Sequence, residues 1–281
     1  MGEIKLLQIY YSYDNAGPGK VIKNLSQGLK LINYPYTLNE PPVDNSYKLC
    51  LSNHSILQSE YLHEMFIGPN IVTLPIDSEV VMNQNYKKFV VNSDWTFNCY
   101  KRWLHEDKII IWPVGIDTNL FNDKSNDVKS IDCLLYFKNR HNYELDKAIE
   151  LLNKNNQSYT LIRYGHYQES EFINSLSKCR YCFVVGGIES QGIAYGEIQS
   201  CNIPIFAWEL NQWTDRGPDV AFSASTIPYW NDKCGIKTVN LNEEKFNYFL
   251  DNISSFNPRD YILKNLTLEK QATEIITLLN I

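Results

Sequence analysis

Two carboxylates eight residues apart flank a glycine in the run Glu189-Ser-Gln-Gly-Ile-Ala-Tyr-Gly-Glu197. The apolar stretches on either side, Tyr181–Val185 and Ile203–Trp208, predict buried strands, so the segment between them predicts a loop that enters a helix ending near Ser200. Glu189 then lies in the strand-to-helix loop and Glu197 on the helix. Chemically, a carboxylate accepts a pair of hydroxyl hydrogens, and the exposed amides of a helix start, here Gly192 and Ile193, favour phosphate. One carboxylate reaches a ligand at the helix end while the other reaches along its flank. The spacing alone also suits a capped and solvated helix start.

Other chemistries find less support. Gly17-Pro-Gly-Lys20 is followed by Val21, so a phosphate-binding loop of the G-x-x-x-x-G-K-[ST] type is incomplete. His63-Glu64 lacks the second His of a zinc protease helix, and there is no G-x-S-x-G nucleophile elbow. No Asp-x-Asp pair offers a divalent ion two nearby carboxylates, so no metal is expected. Cys179 and Cys182 form a C-x-x-C without a partner pair at zinc spacing.

These side chains need a scaffold, and the chain is long enough to build one. Its 281 residues are 44% hydrophobic and 21% charged, which fits two compact α/β domains or one large one. A formal charge of −6 argues against a broad basic surface for nucleic acid. No apolar run approaches the roughly 18 residues that would cross a bilayer, and no signal peptide is visible. Seven scattered cysteines, mostly in strand-like runs, read as reduced buried thiols, and a cytoplasmic location is expected.

Strand-like and helix-like segments alternate throughout. The first half predicts strands at 4–11, 36–38, 48–52, 71–74, 88–91 and 109–112, with helices at 21–32, 55–65 and 96–104. Turn residues and charges near 115–129 predict a boundary, dividing the chain into units 1–117 and 118–281. The second half predicts strands at 133–137, 158–163, 181–185 and 203–208, helices at 143–153 and 169–178, and a final helix at 268–279 with Thr267 as its N-cap. Two doubly wound halves facing each other across a cleft would bind a ligand at the carboxyl ends of their strands. His166, in Tyr164-Gly-His-Tyr167, follows the strand 158–163 at such an edge and is a candidate to line the ligand, with packing the alternative.

The ordered set Tyr164-Gly-His-Tyr, Cys182-Phe-Val-Val, Glu189 through Glu197 and Asn202-Ile-Pro-Ile resembles the C-terminal half of retaining GT-B glycosyltransferases of the family 4 type. Glu189 and Glu197 match that family's Glu-x7-Glu signature. Trp112-Pro-Val-Gly-Ile-Asp-Thr-Asn-Leu-Phe121 is similar to its inter-domain segment, and Gly17-Pro-Gly19-Lys20 with the following helix to its glycine loop. The resemblance implies an α/β GT-B-like fold of two Rossmann-like domains with mainly parallel sheets. The first would be the acceptor side and the second would hold the donor.

It further implies a retaining transferase that moves a sugar from a nucleotide diphosphate donor to a hydroxyl-bearing glycan or glycoconjugate. No cofactor or metal is implied. Glu189 would meet sugar hydroxyls, Gln191, Gly192 and Ile193 the sugar and distal phosphate, and Glu197 the ribose; Gly17 and Gly19 would also serve the donor. Lys138 and Arg140, at the end of the strand 133–137, are the candidates to face the diphosphate, without the family's usual spacing. His54 and Asp77 are the acceptor-side candidates. The alternatives are a nucleotide-sugar epimerase of the same fold and a non-catalytic nucleotide-sugar or glycan-binding protein.

Overall fold

The computed structural model describes residues 4–12, 16–214, 216 and 221–280. The chain divides into two compact units, Met1–Gly115 with Thr267–Ile281, and Ile116–Leu266.

Unit 1 is built on six parallel strands, β1 (Leu7–Tyr10), β2 (Tyr36–Leu38), β3 (Tyr47–Cys50), β4 (Met65–Ile67), β5 (Lys88–Val91) and β6 (Ile109–Ile111), in the order β2-β1-β3-β4-β5-β6. Its helices are α1 (Ala16–Leu31), α2 (Glu79–Met82) and α3 (Asp94–Tyr100). Two expectations fail here. The helix expected at 55–65 is a pair of 3-10 turns, Ile56–Gln58 and Glu60–Glu64. The strand expected at 71–74 is absent, and its place in the sheet is taken by β4. Gly68 explains the shift: at φ +103° it lets the chain turn directly after β4, where a Cβ would lie 2.4 Å from Val90 O.

Unit 2 carries five parallel strands, β7 (Ile131–Lys138), β8 (Tyr159–Arg163), β9 (Cys179–Gly186), β10 (Ile205–Trp208) and, beyond a short antiparallel pair β11 (Gln212–Trp213) and β12 (Phe222–Ser223), β13 (Gly235–Thr238). The sheet order is β13-β10-β9-β7-β8. Its helices are α4 (Asn142–Lys154), α5 (Glu169–Lys178), α6 (Ile193–Ser200), α7 (Glu243–Asp251) and α8 (Pro258–Asn265).

The side chains of β7 show why this sheet is covered on both faces. Strand residues alternate sides, so Leu134 and Tyr136 join Phe172 and Leu176 of α5 and Tyr195 and Ile198 of α6. Cys133, Leu135 and Phe137 point the other way, onto Leu145, Ala148 and Leu152 of α4 and Phe246 and Phe249 of α7. All seven cysteines are buried and free, as expected of packing thiols.

The final helix, α9 (Leu268–Leu279), has its expected cap, with Lys270 N donating to Thr267 Oγ1 at 3.3 Å. It belongs to unit 1, whereas the sequence placed residues 118–281 together. Gly28 of α1 accounts for this: a Cβ there would lie 2.6 Å from Leu268 O and 3.0 Å from Ala272 Cβ, so the two helices touch almost backbone to backbone. Trp112 Nε1 also donates to Gln271 O at 2.9 Å. The apolar stripe Leu268, Ala272, Ile275 and Leu279 is buried as its period predicts. A stripe alone does not say which sheet it covers. Among the described residues no helix is long and apolar enough to cross a membrane.

Candidate functional site

In unit 2 the chain leaves β7 for β8 on one side and returns to β9 on the other. The two carboxyl ends therefore lie side by side while their connections diverge, which is where open parallel sheets leave room for a ligand. Lys138 and Gly186, the last residues of these strands, are register partners. Gly187 N donates to Lys138 O at 2.7 Å and continues the pairing past the strand. A Cβ on Gly187 would come within 3.0 Å of Asn139 O.

Glu189 follows directly. Its backbone N–H donates to Ser225 O, and its carboxylate meets Lys138 Nζ at 2.7 Å. Both side chains are largely covered, with 13% of Lys138 and 15% of Glu189 exposed. Burial raises the proton affinity of Glu189, and the adjacent ammonium opposes that rise. The ring of Tyr164, just past β8, covers the same ammonium with its centroid 3.9 Å from Nζ. Lys138 thus sits between a carboxylate and an aromatic face, each from a different strand end.

Gly192 starts α6 in the left-handed region, φ 73° and ψ 55°. The first helical bonds run from Tyr195 N and Gly196 N to Gly192 O, so the amides of Gly192, Ile193 and Ala194 precede the ladder. A Cβ on Gly192 would lie 3.6 Å from Glu189 Cβ, which puts the carboxylate beside this helix start. The structure thus brings Glu189 together with Lys138 and with Gly192 at the start of α6. Gln191 is buried next to them.

Glu197 is also buried, on the second turn of α6. It contributes to the raised pKa of Tyr167, about 12, after burial of that phenol. Tyr167 and Tyr136 share a hydroxyl contact of 3.2 Å. Glu197 thus faces the segment after β8, and Glu189 faces the end of β7.

Arg140 departs from expectation. Its Nε and Nη2 bind the Glu144 carboxylate, and its Nη1 donates to Gly186 O at 3.1 Å and Trp208 O at 3.2 Å. Only 4% of its side chain is exposed. The guanidinium ties the ends of β9 and β10 to α4, and its donors are committed to the fold. The i,i+4 spacing of Arg140 and Glu144 was the sequence signal for this pair. His166 is exposed in the turn after β8, where its N–H donates to Arg163 O.

A second ionic group was missed. Glu209, just past β10, accepts from Ser225 Oγ, and Lys237 of β13 approaches its Oε1 at 3.6 Å. Lys237 Nζ also donates to Ser225 Oγ at 3.0 Å and Ile227 O at 2.6 Å. This group fixes the segment whose Ser225 O holds the Glu189 backbone. The polar density of 225–235 was visible in the sequence, but its partners on β10 and β13 were not.

In unit 1, Gly17 and Gly19 lie in the first turn of α1 instead of a preceding loop; of the expected loop 12–20, residues 13–15 lie outside the described residues. A Cβ on Gly17 would meet nothing within 4 Å. His54 is exposed in the turn after β3. Asp77 does not follow a strand. It ends a 3-10 turn, and its carboxylate accepts from Leu74 N at 3.2 Å.

No protein-family model matches the sequence, and no curated protein matches it significantly. Solved structures do match the fold over nearly the whole chain. AviGT4, a glycosyltransferase involved in avilamycin A biosynthesis, superposes with a TM-score of 0.61 at 10% identity, over 99% of this chain and 97% of that one. Anabaena HepE in complex with UDP and glucose gives 0.57 at 10% identity, over 99% and 100%. Sucrose-phosphate synthase from Thermosynechococcus elongatus gives 0.56 at 12% identity, over 98% of each chain. At such identities the likeness is one of fold. The fold is GT-B, two parallel α/β units, as expected.

Proposed function

We propose that this protein transfers a sugar from a nucleotide diphosphate donor to a hydroxyl acceptor, with retention of anomeric configuration and without a metal. The observation that carries this reading is the placement of Glu189 and Lys138 at the divergent ends of β7 and β9, beside the start of α6. A diphosphate and a polyol are the two halves of a nucleotide sugar. The ammonium and the amides of Gly192, Ile193 and Ala194 suit the first half, and the carboxylate suits the second. The fold adds support, since HepE, which shares it, was solved with UDP and glucose.

Leaving-group charge would fall on Lys138 and these amides, which are fixed before reaction and so stabilise the departing diphosphate at little reorganisation cost. Glu189 would orient the sugar through its hydroxyls. The departing diphosphate oxygen would accept the acceptor's proton on the face it leaves, giving retention. Glu197 would serve the ribose, with Gln191 and His166 flanking the donor. In unit 1, His54 and Asp77 would serve the acceptor.

Calorimetry against uridine, guanosine and adenosine diphosphates, followed by donor-consumption assays with and without acceptor hydroxyls, tests the reading. Glu189→Ala should abolish transfer while leaving nucleotide affinity mostly intact, and Glu197→Ala should weaken nucleotide binding. NMR of the product should show the donor's anomeric configuration. Donor turnover without acceptor transfer would point to an epimerase, and binding without turnover to a non-catalytic binder. If neither substitution alters donor binding or turnover, the assignment is wrong.

A further inference from the structure

A lysine carries its charge on a flexible four-carbon stem, so the ammonium of Lys138 must be held if it is to meet a phosphate in one place. We infer that Tyr164 is a positioning residue for it: the ring seats the ammonium at the end of β7 and strengthens diphosphate binding through Lys138, without itself touching the ligand. This rests on the donor reading of the site and names a further residue that serves it.

A tight turn places the ring. Arg163 ends β8, and His166 N donates to Arg163 O at 3.0 Å, so residues 163–166 close a four-residue turn. Gly165, third in it, has φ +80°, the left-handed value that a type II turn requires at that position. A Cβ on Gly165 would meet nothing within 4 Å, so it is this backbone conformation and not crowding that calls for glycine. Tyr164 N donates to Phe137 O at 3.0 Å, which ties the residue bearing the ring to the residue before Lys138. Ring and ammonium thus issue from the ends of two paired strands.

The contact is close. Lys138 Nζ is 3.9 Å from the ring centroid, whereas Lys237 stands 5.3 Å from Trp230 and the Arg140 guanidinium 5.0 Å from Trp208. The Lys138 side chain is largely covered, and the attraction between a cation and a π face grows as water is excluded. A ring also differs from a carboxylate in what it leaves behind. It has no net charge, so it fixes the ammonium without cancelling the charge that a diphosphate needs. Tyr164 itself is more than a third exposed, so its ring can be replaced without opening a cavity in the core.

The test is calorimetry of the full chain with uridine, guanosine and adenosine diphosphates and with inorganic pyrophosphate, comparing Tyr164→Phe and Tyr164→Leu in wild type and in Lys138→Met. For a diphosphate that binds, Tyr164→Phe should match wild type, because it keeps the π face. Tyr164→Leu keeps apolar bulk but loses that face, and should bind about three- to thirtyfold more weakly. Pyrophosphate, which has no base to stack on the ring, should weaken by the same factor. In the Lys138→Met background the change to Leu should alter affinity less than about twofold, since no cation remains for the ring to hold. Wild-type affinity in Tyr164→Leu would overturn the positioning role and leave the donor reading standing. An equal loss with and without Lys138, or a loss that spares pyrophosphate, would overturn it too, because the ring would then meet the ligand itself. If none of the diphosphates binds wild type, the donor reading fails and the positioning role falls with it.

Discussion

Arg140 closes a two-pronged ion pair on Glu144, in the first turn of α4, while its Nη1 holds Gly186 O and Trp208 O. The cation expected to serve the ligand instead joins two strand ends and a helix beneath the site. Removing one partner leaves an uncompensated buried charge, so Glu144→Gln should cost about 3–5 kcal/mol in chemical denaturation. Converting both to apolar residues, Arg140→Met with Glu144→Leu, should recover much of that loss. A single-variant cost below about 1 kcal/mol would show that the pair is not structural.

The same pair predicts an acid limb. Burial opposes the charge of Glu144, but the Arg140 hydrogen bonds and the His141 N–H outweigh it and hold its pKa below the usual value. The folded value lies below the unfolded one. Its contribution is therefore complete above the ordinary Glu range of about 4.3 and disappears as pH falls through the depressed folded value. Stability measured between pH 6 and 3 should fall more steeply for wild type than for Glu144→Gln. Parallel curves would contradict this.

Gly192 should not tolerate a side chain. Its left-handed φ of 73° costs an L-residue about 1–2 kcal/mol, and a Cβ would lie 2.6 Å from Tyr195 Cδ2. Gly192→Ala should lower stability by at least that amount. Calorimetry should also show weaker diphosphate binding, because relief of the clash shifts the amides that open α6. Unchanged affinity would mean that these amides do not hold the ligand.

Helix α9 should answer to unit 1. Gly28→Leu drives a side chain into Leu268 O and Ala272, and overpacking of this kind costs about 1–3 kcal/mol or more. Hydrogen exchange should show protection lost in β1, α1 and α9 while the sheet of unit 2 keeps its protection. Equal losses in both units would refute the assignment of α9.

The cysteines offer a simple count. All seven are buried, and burial raises thiols such as Cys50 and Cys99 to pKa values of about 12. A thiol reagent at pH 8 should modify none of them rapidly in the native protein and all seven in denaturant. Rapid native modification of any one would expose a local opening.

Unit 2 was largely legible in the sequence because its central strands are long, apolar and separated by helices with clear stripes. The α5 boundaries, Glu169–Lys178, coincide with those read from pattern alone. The 55–74 region was not legible. Its Leu57 is buried without a repeating stripe, and a glycine turn after a three-residue strand leaves little periodic signal. Site residues divided similarly. Glu189 and the start of α6 are marked by glycine and carboxylate spacing, but whether a strand-end cation faces a ligand or the fold depends on its tertiary neighbours. Lys138 and Arg140 are two residues apart, yet one pairs with Glu189 across the strand ends and the other with Glu144 of α4.

The return of α9 to unit 1 makes unit 2 an insertion. Gly115 lies against Thr267 and Leu268 within unit 1, and Ile116 N donates to Leu266 O at 2.7 Å within unit 2, so each unit closes at the crossing. On the ribosome, about 150 residues must emerge between β6 and the helix that completes its unit. At roughly 5–20 residues per second, the first sheet waits about 8–30 s with the α9-facing surface of α1 uncovered. Unit 2, whose two ends meet each other, has everything it needs to fold in that interval. The inserted unit is thus ready to mature first, while the strands made before it depend on the helix made after it.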